Sequence, residues 1–406
     1  MLICVVYGAL SYRWDFFPSP ILKSAISGYK EVSQDWGTGL PWGYVKLEEN
    51  DSVSLVKEEH PLMGLNLVTR MASDNALVVE LLAMDSTLVK QWSLNWFDIW
   101  PDADHLPEHI MPKSEPGTFI HGVVLLPDGS IVFNYEYCGM VRIDKNDKVV
   151  WKLPYATHHS LHLAENGNLW ACGLLFEPPK LKALSNCELV ERQVIVEVSQ
   201  QGEILNEWRV EELIANSGLK GYLHLMKREC GAAQLLHLND VETIASTDTS
   251  GWFQSGDVLF SLRNINTVFV FNRFTNKIRK AISGPFIAQH DPDFKSGNSI
   301  TVFDNGHGAN ASSIKKSRIV QVDLVSGKAE TLVEGSVDLP FYSEKLGKHQ
   351  WLSNGNLLIT SSQQGRAYEI NTKGDVVWEY FNRVTENSFG YLIDVQRVPM
   401  SHADLF

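Results

Sequence analysis

The sequence predicts an all-β chain folded as a six-bladed β-propeller with a short N-terminal helical segment. Three observations carry that expectation. One strand-and-turn pattern recurs six times, Asn-Gly and Asp-Gly pairs separate alternating apolar runs, and four of the six copies close on tryptophan. Asn-Gly and Asp-Gly favour tight hairpins because both central residues take positive φ, so each copy reads as antiparallel strands joined by short turns. Six units of about four strands fit a propeller, whereas a sandwich has no reason to reuse one unit six times.

Taken in order, the chain opens with the apolar run Leu2–Leu10, nine residues against the ~20 needed to span a bilayer as a helix. No basic residues precede it and no small-residue cleavage signature follows. Two readings stay open: a first strand or buried segment, or the tail of a membrane helix or export signal. Ser19-Pro20 followed by Ile21, Leu22, Ala25, Ile26 and Tyr29 predicts a capped amphipathic helix. Residues 1–35 are therefore set apart as an N-terminal segment, and 36–406 are assigned to the propeller.

The first copy runs from Leu65 to Trp92, the second from Gly122 through Asp128-Gly129 to Trp151, and the third from Leu163 through Asn166-Gly167 to Trp208. The fourth covers Asp257 to Asn272, the fifth Ser299 to Lys328, and the sixth Trp351 through Asn354-Gly355 to Trp378. Tyr391–Val398 alternates apolar and polar residues and is expected to close the ring on the first blade. The inserts 95–117, 173–192, 211–235, 306–316 and 334–346 are expected as rim loops, where binding surfaces usually lie. Helix is confined to inserts such as Val210–Ala215.

Composition narrows the partners. Of 406 residues, 44% are hydrophobic and 20% charged, which excludes a disordered chain. A net charge of −13 argues against nucleic acid. Cys4, Cys138, Cys172, Cys187 and Cys230 are odd in number and scattered, so they specify neither a disulfide framework nor a zinc site. No cofactor and no metal is expected.

In a propeller the first strand of each blade lines the central channel, so matching positions face one another around the axis. His121 and His159 each lie eight residues before the turn glycine of their unit, His290 lies seven before Gly297, and His237 opens the equivalent stretch of its own unit. Four blades thus place an imidazole near one level. His158 and His162 are adjacent extras, and Arg263, in the second strand of the His237 unit, can reach the same place. Asp291 and Asp293 flank His290, and Asp293 could orient an imidazole. His349 is six residues before Gly355, a one-step offset that aims it away from His290. Imidazoles and a guanidinium converging in an acidic protein suit an anionic group: neutral imidazole is a nucleophile or base, and Arg offers a donor fork to sulfate, phosphate or carboxylate. Imidazoles also bind metals, but a central Arg repels a cation.

Several stretches together resemble the bacterial arylsulfate sulfotransferase family: His158-His159 before Asn166-Gly167; His237-Leu-Asn239; Ser261-Leu-Arg263-Asn264; Gln289-His290-Asp291; Val302-Phe-Asp-Asn-Gly; and Asn354-Gly-Asn ahead of Val377-Trp-Glu-Tyr. The resemblance implies a six-bladed propeller and ping-pong transfer of a sulfuryl group from an aryl sulfate ester to a phenol, with no nucleotide sulfate donor. It implies His290 as the transiently sulfated nucleophile, with His237, Arg263 and His159 as the other catalytic residues. His158, Asn239, Asn264, His121 and Asp291 are expected to bind substrate. The expected partners are the aryl sulfate and the phenol. Well-characterised members are periplasmic, carry an N-terminal β-domain and contain a disulfide; here the first 35 residues are too short for such a domain. A periplasmic location, or a membrane tether facing the periplasm, is the matching expectation. Two other function classes stay open on the residues alone: a propeller that only binds an anionic or aromatic ligand or a protein partner, and a metal-dependent hydrolase or lactonase.

Overall fold

The computed structural model describes residues 60–406 apart from 73–75, 109, 115–116, 178–189, 224–235, 246–250, 296, 307–315 and 387. Before residue 60 it describes only Tyr7, Leu10, Ser11, Tyr44–Lys46 and Leu55–Val56. The apolar run at Leu2 and the helix expected from Ser19 therefore lie outside the described residues, save for Tyr7 and Leu10 of the run. Among the described residues no helix is long and apolar enough to cross a membrane.

Six antiparallel sheets stand around one axis. Their inner strands are Leu392–Val398, Ile120–Leu125, Ala156–Leu163, Leu238–Thr243, His290–Lys295 and Lys348–Trp351, for blades 1 to 6 in turn. Each touches the next, and Lys348–Trp351 of blade 6 touches Leu392–Val398 of blade 1, so the ring is closed. In four blades the fourth strand from the axis carries the tryptophan of the repeat, at Leu88–Trp92, Val149–Leu153, Ile204–Arg209 and Val376–Phe381. Leu55–Val56 adds a fifth strand to blade 6 beside Val376–Phe381.

The middle strands are buried on both faces because each sheet is sandwiched between two others. Leu77–Leu82 and Thr267–Asn272 have every residue buried. The core is correspondingly split into layers between successive blades: Leu81 and Trp92 meet Phe133 and Val141, Trp170 meets Phe260 and Phe271, and Trp378 and Tyr380 meet Val68 and Leu392. Burying a large apolar side chain contributes roughly 1.5–3 kcal/mol, so each layer binds its two neighbours into the ring.

The expected rim insert 173–192 is partly strand. Leu169–Glu177 and Val190–Val198 stay paired from Leu169↔Val198 out to Glu177↔Val190, so the hairpin of blade 3 projects beyond the others. Polar residues such as Gln193, Arg192 and Glu191 hid this extension from the apolar pattern. Val210–Asn216 is a helix, as its insert position suggested.

The C-terminal strand Leu392–Val398 pairs with Leu65–Met71, from Val398↔Leu65 to Leu392↔Arg70, and is the innermost strand of blade 1. Arg397 secures this closure. Its Nη1 donates to Glu369 Oε2 of blade 6 at 2.9 Å and its Nε to Asn66 Oδ1 at 2.9 Å. Both charged side chains are essentially sealed, at 1% and 0% exposure. Removing one partner of such a pair leaves an uncompensated buried charge. Glu369→Ala is expected to cost about 3–5 kcal/mol, read as a lowered urea midpoint, while Glu369→Leu combined with Arg397→Met recovers most of it. A wild-type midpoint for Glu369→Ala would contradict this account of the closure.

Candidate active site

Five of the six inner strands break their ladder near one level of the channel. The register shifts between His121 and Val123, His158 and Leu161, Leu238 and Asp240, His290 and Asp293, and Leu392 and Asp394. A bulge inserts an extra residue and re-aims the side chains beside it. His159, His237 and Asp291 take left-handed φ of 51°, 55° and 49°, conformations that cost of order 1 kcal/mol or more outside glycine. Gly122, at φ 70°, sits in the blade 2 bulge, where a Cβ would stand 2.4 Å from the His159 carbonyl oxygen. Glycine there lets blades 2 and 3 close up behind their histidines.

The bulges bring the imidazoles together. The rings of His121 and His159 have centroids 4.6 Å apart, and those of His159 and His237 4.9 Å. His159 is the hub: its Nδ1 is 2.9 Å from His158 Nδ1 and its Nε2 is 3.2 Å from His237 Nε2, each contact sharing one proton. His158 is wholly buried behind it under the Tyr137 ring, centroids 4.7 Å apart. His159 is thus the member of the pair that meets the other blades.

In blades 2, 4 and 5 the channel histidine is served by the first residue after the second strand of its own blade. In blade 5, His290 Nδ1 lies 2.8 Å from Asn305 Oδ1. The Asn305 amide donates through Nδ2 to the Ser343 and Leu346 carbonyls, both at 2.8 Å, which fixes its oxygen toward His290. His290 must therefore donate from Nδ1, and its Nε2 keeps the lone pair. In blade 2, His121 Nδ1 meets Glu136 Oε2 at 3.1 Å, while Glu136 Oε1 is 3.8 Å from His159 Nδ1. In blade 4, the Arg263 amide donates to the His237 carbonyl at 3.0 Å, and its guanidinium lies close enough to depress the proton affinity of His237 and His290. Glu136 and Asn305 were not singled out from the sequence.

Two further expected residues pair with their neighbours. Asn264 is exposed and accepts from Arg263 Nη1 at 2.9 Å. Asn239 is buried and donates to the Gln289 carbonyl at 2.8 Å, tying blade 4 to the residue before His290.

Burial dominates the electrostatics. It pushes His158 down to about 3 and His237 down to about 4, the latter helped by Arg263, and holds His159 and His290 well below the usual imidazole range. Burial works to raise Glu136, but His121, with His158 and His237, carries it below the ordinary carboxylate value. At neutral pH His158, His159, His237 and His290 are thus uncharged, beside one carboxylate and one guanidinium.

The sequence profile of the arylsulfotransferase family (ASST) matches residues 122–383, five of the six blades, with His158, His159, His237, Arg263, His290, Glu136 and Asn305 inside the match and His121 just before it. The chain belongs to the arylsulfotransferase family. No curated protein matches it in sequence. A solved protein of unknown function from Bacteroides caccae is similar in fold, with a TM-score of 0.53 at 15% identity over 82% of this chain and 98% of that one. Virginiamycin B lyase from Staphylococcus aureus, solved with quinupristin, aligns at a TM-score of 0.42 and 11% identity over 84% of this chain and 89% of its own.

In this arylsulfotransferase-family chain Asp291 does not join the imidazoles. The left-handed bulge turns its carboxylate to the other side, where it accepts from Lys348 Nζ at 2.6 Å and faces His349 Nδ1 at 2.9 Å. That corrects its expected place beside the substrate. Lys348 also reaches Asp240 at 3.3 Å, and His349 Nε2 lies 3.4 Å from Asp293, so the imidazole that Asp293 helps orient is His349. Glu242 and Asp394 complete the lining of a cavity of about 490 Å³ below the bulges. Burial raises Asp240 and Asp394 to about 6 despite Lys348, and lifts Glu242 and Asp293 further. Raised carboxyls favour the fold below their unfolded pKa, and that contribution is lost as pH climbs through about 6. Asp291, held below its usual range, acts in the opposite sense. Lys348→Met is therefore expected to destabilise by about 3 kcal/mol at pH 7.5 and clearly less at pH 5, where most of these carboxyls take up protons. Thermal melts at the two pH values check this; an equal loss at both would count against it.

Proposed function

We propose that this protein moves a sulfuryl group from an aryl sulfate ester to a phenol by a ping-pong route through a sulfated His290, without a nucleotide sulfate donor. The observation that carries the reading is the fixed tautomer of His290: Asn305 holds the Nδ1 proton and leaves an uncharged Nε2 lone pair beside Arg263, His237 and His121. In the first half-reaction Nε2 attacks sulfur, the N–S bond forms and the S–O bond breaks. The departing phenolate takes a proton from a neighbouring imidazole. The acceptor phenol then returns a proton to that imidazole as its oxygen attacks sulfur, and the N–S bond breaks to restore His290. Arg263 and His237 face the sulfuryl oxygens, where a cation and preset donors stabilise developing charge.

A metal-dependent hydrolase is a second reading, favoured by one observation: His121, Glu136 and His159 offer donor atoms that all lie within 4.8 Å of one another. The neighbouring Arg263 guanidinium counts against it.

Release of nitrophenol from nitrophenyl sulfate in the presence of phenol tests the proposal. Wild type is expected to turn over in chelator-treated buffer. His290→Ala is expected to abolish turnover, and Asn305→Ala to lower kcat by roughly 10²-fold through loss of the productive tautomer. Turnover that survives His290→Ala, or that a chelator removes, would overturn it.

A further inference from the structure

Two imidazoles near His290, His237 and His121, are backed by opposite charges. His237 stands beside the Arg263 guanidinium, and its Nε2 is committed to His159. His159 has both nitrogens committed, to His158 and His237. His121 differs: its Nδ1 is paired with the Glu136 carboxylate at 3.1 Å, which leaves Nε2 for the channel. The Glu136 side chain is only about one-fifth exposed, at 19%, and its second oxygen faces His159. A carboxylate on Nδ1 fixes the tautomer with Nε2 as acceptor and stabilises the imidazolium once Nε2 takes a proton, while a guanidinium beside an imidazole does the reverse.

We infer that His121 is the proton carrier of the reaction and that Glu136 is its positioning residue, His237 and Arg263 being left to the sulfuryl oxygens. This rests on the sulfuryl-transfer reading above. The proton ledger closes on the pair. Imidazolium His121 donates from Nε2 to the oxygen of the breaking S–O bond, giving free phenol and neutral His121. The acceptor phenol returns the proton to Nε2 as its oxygen bonds to sulfur. Glu136 stays ionised throughout, so no further acid or base is needed.

Two donors separate this from a structural role. An aryl sulfate with a poor leaving group, phenyl sulfate, needs its oxygen protonated; one with an acidic phenol, nitrophenyl sulfate, needs little help. Glu136→Gln keeps the shape but removes the charge. Its kcat/KM for phenyl sulfate is expected to fall 10²-fold or more, while that for nitrophenyl sulfate falls less than about tenfold. Glu136→Asp restores part of the loss. His121→Asn is expected to show the same selectivity for the better leaving group, and serves if Glu136→Gln fails to fold. Equal losses on both donors, or none, in an active protein would overturn the inference while leaving sulfuryl transfer standing. A wild type inert toward both donors would overturn the sulfuryl-transfer reading and this inference with it.

Discussion

The site exists because the ring closes. Leu392–Val398 crosses the whole length of the sequence to become the inner strand of a sheet begun at Leu65–Met71. Only a closed ring has an axis at which residues 121, 159, 237 and 290 can meet. The closure is held by strand pairing, by the apolar layer around Val68, Leu392 and Trp378, and by the sealed Arg397–Glu369 pair. Because the layers between blades are similar in construction, none of them fixes the position of the axis alone. The chain ends do that by sharing one blade.

A second constraint follows at the axis. Inner strands of regular pleat would alternate their side chains between the two neighbouring layers and leave the channel to chance. The bulges interrupt that alternation near one level and divide the channel chemically. On one side stand the channel imidazoles with Glu136 and Arg263; on the other stand five carboxyls around Lys348 and His349. His290 and Asp291 are adjacent in sequence yet serve opposite sides, since Asp291 takes φ 49° between them. The same burial acts differently on the two sets: it discharges imidazoles, which makes them nucleophiles and bases, and it protonates surplus carboxyls, which spares the fold their mutual repulsion.

The repeat, the blade count, the closing strand and the level of the four histidines were legible in the sequence because each rests on periodicity. The offset that aims His349 away from His290 was legible for the same reason. The role of Asp291 was not, because strand alternation assumes an unbroken ladder and the ladder breaks there. Glu136 and Asn305 were missed although a signal existed: each lies fifteen residues after the histidine it serves, His121 and His290. That spacing spans an inner strand, a turn and the second strand, and its meaning appears only once both histidines are known to bulge inward. Arg263 occupies the same place after a longer turn, and the stretch that carries it gave it away where spacing could not. The projecting hairpin of blade 3 was hidden because its outer residues are polar.

The central claim is that a sulfuryl group rests on His290 between donor and acceptor. Incubation with nitrophenyl sulfate in the absence of phenol, followed by peptide mass mapping under conditions that spare N–S bonds, tests it directly. The account predicts one added sulfuryl group on the peptide containing His290, and its removal when phenol is added. An unmodified His290 in protein that has released nitrophenol, or a label on another residue, would contradict it.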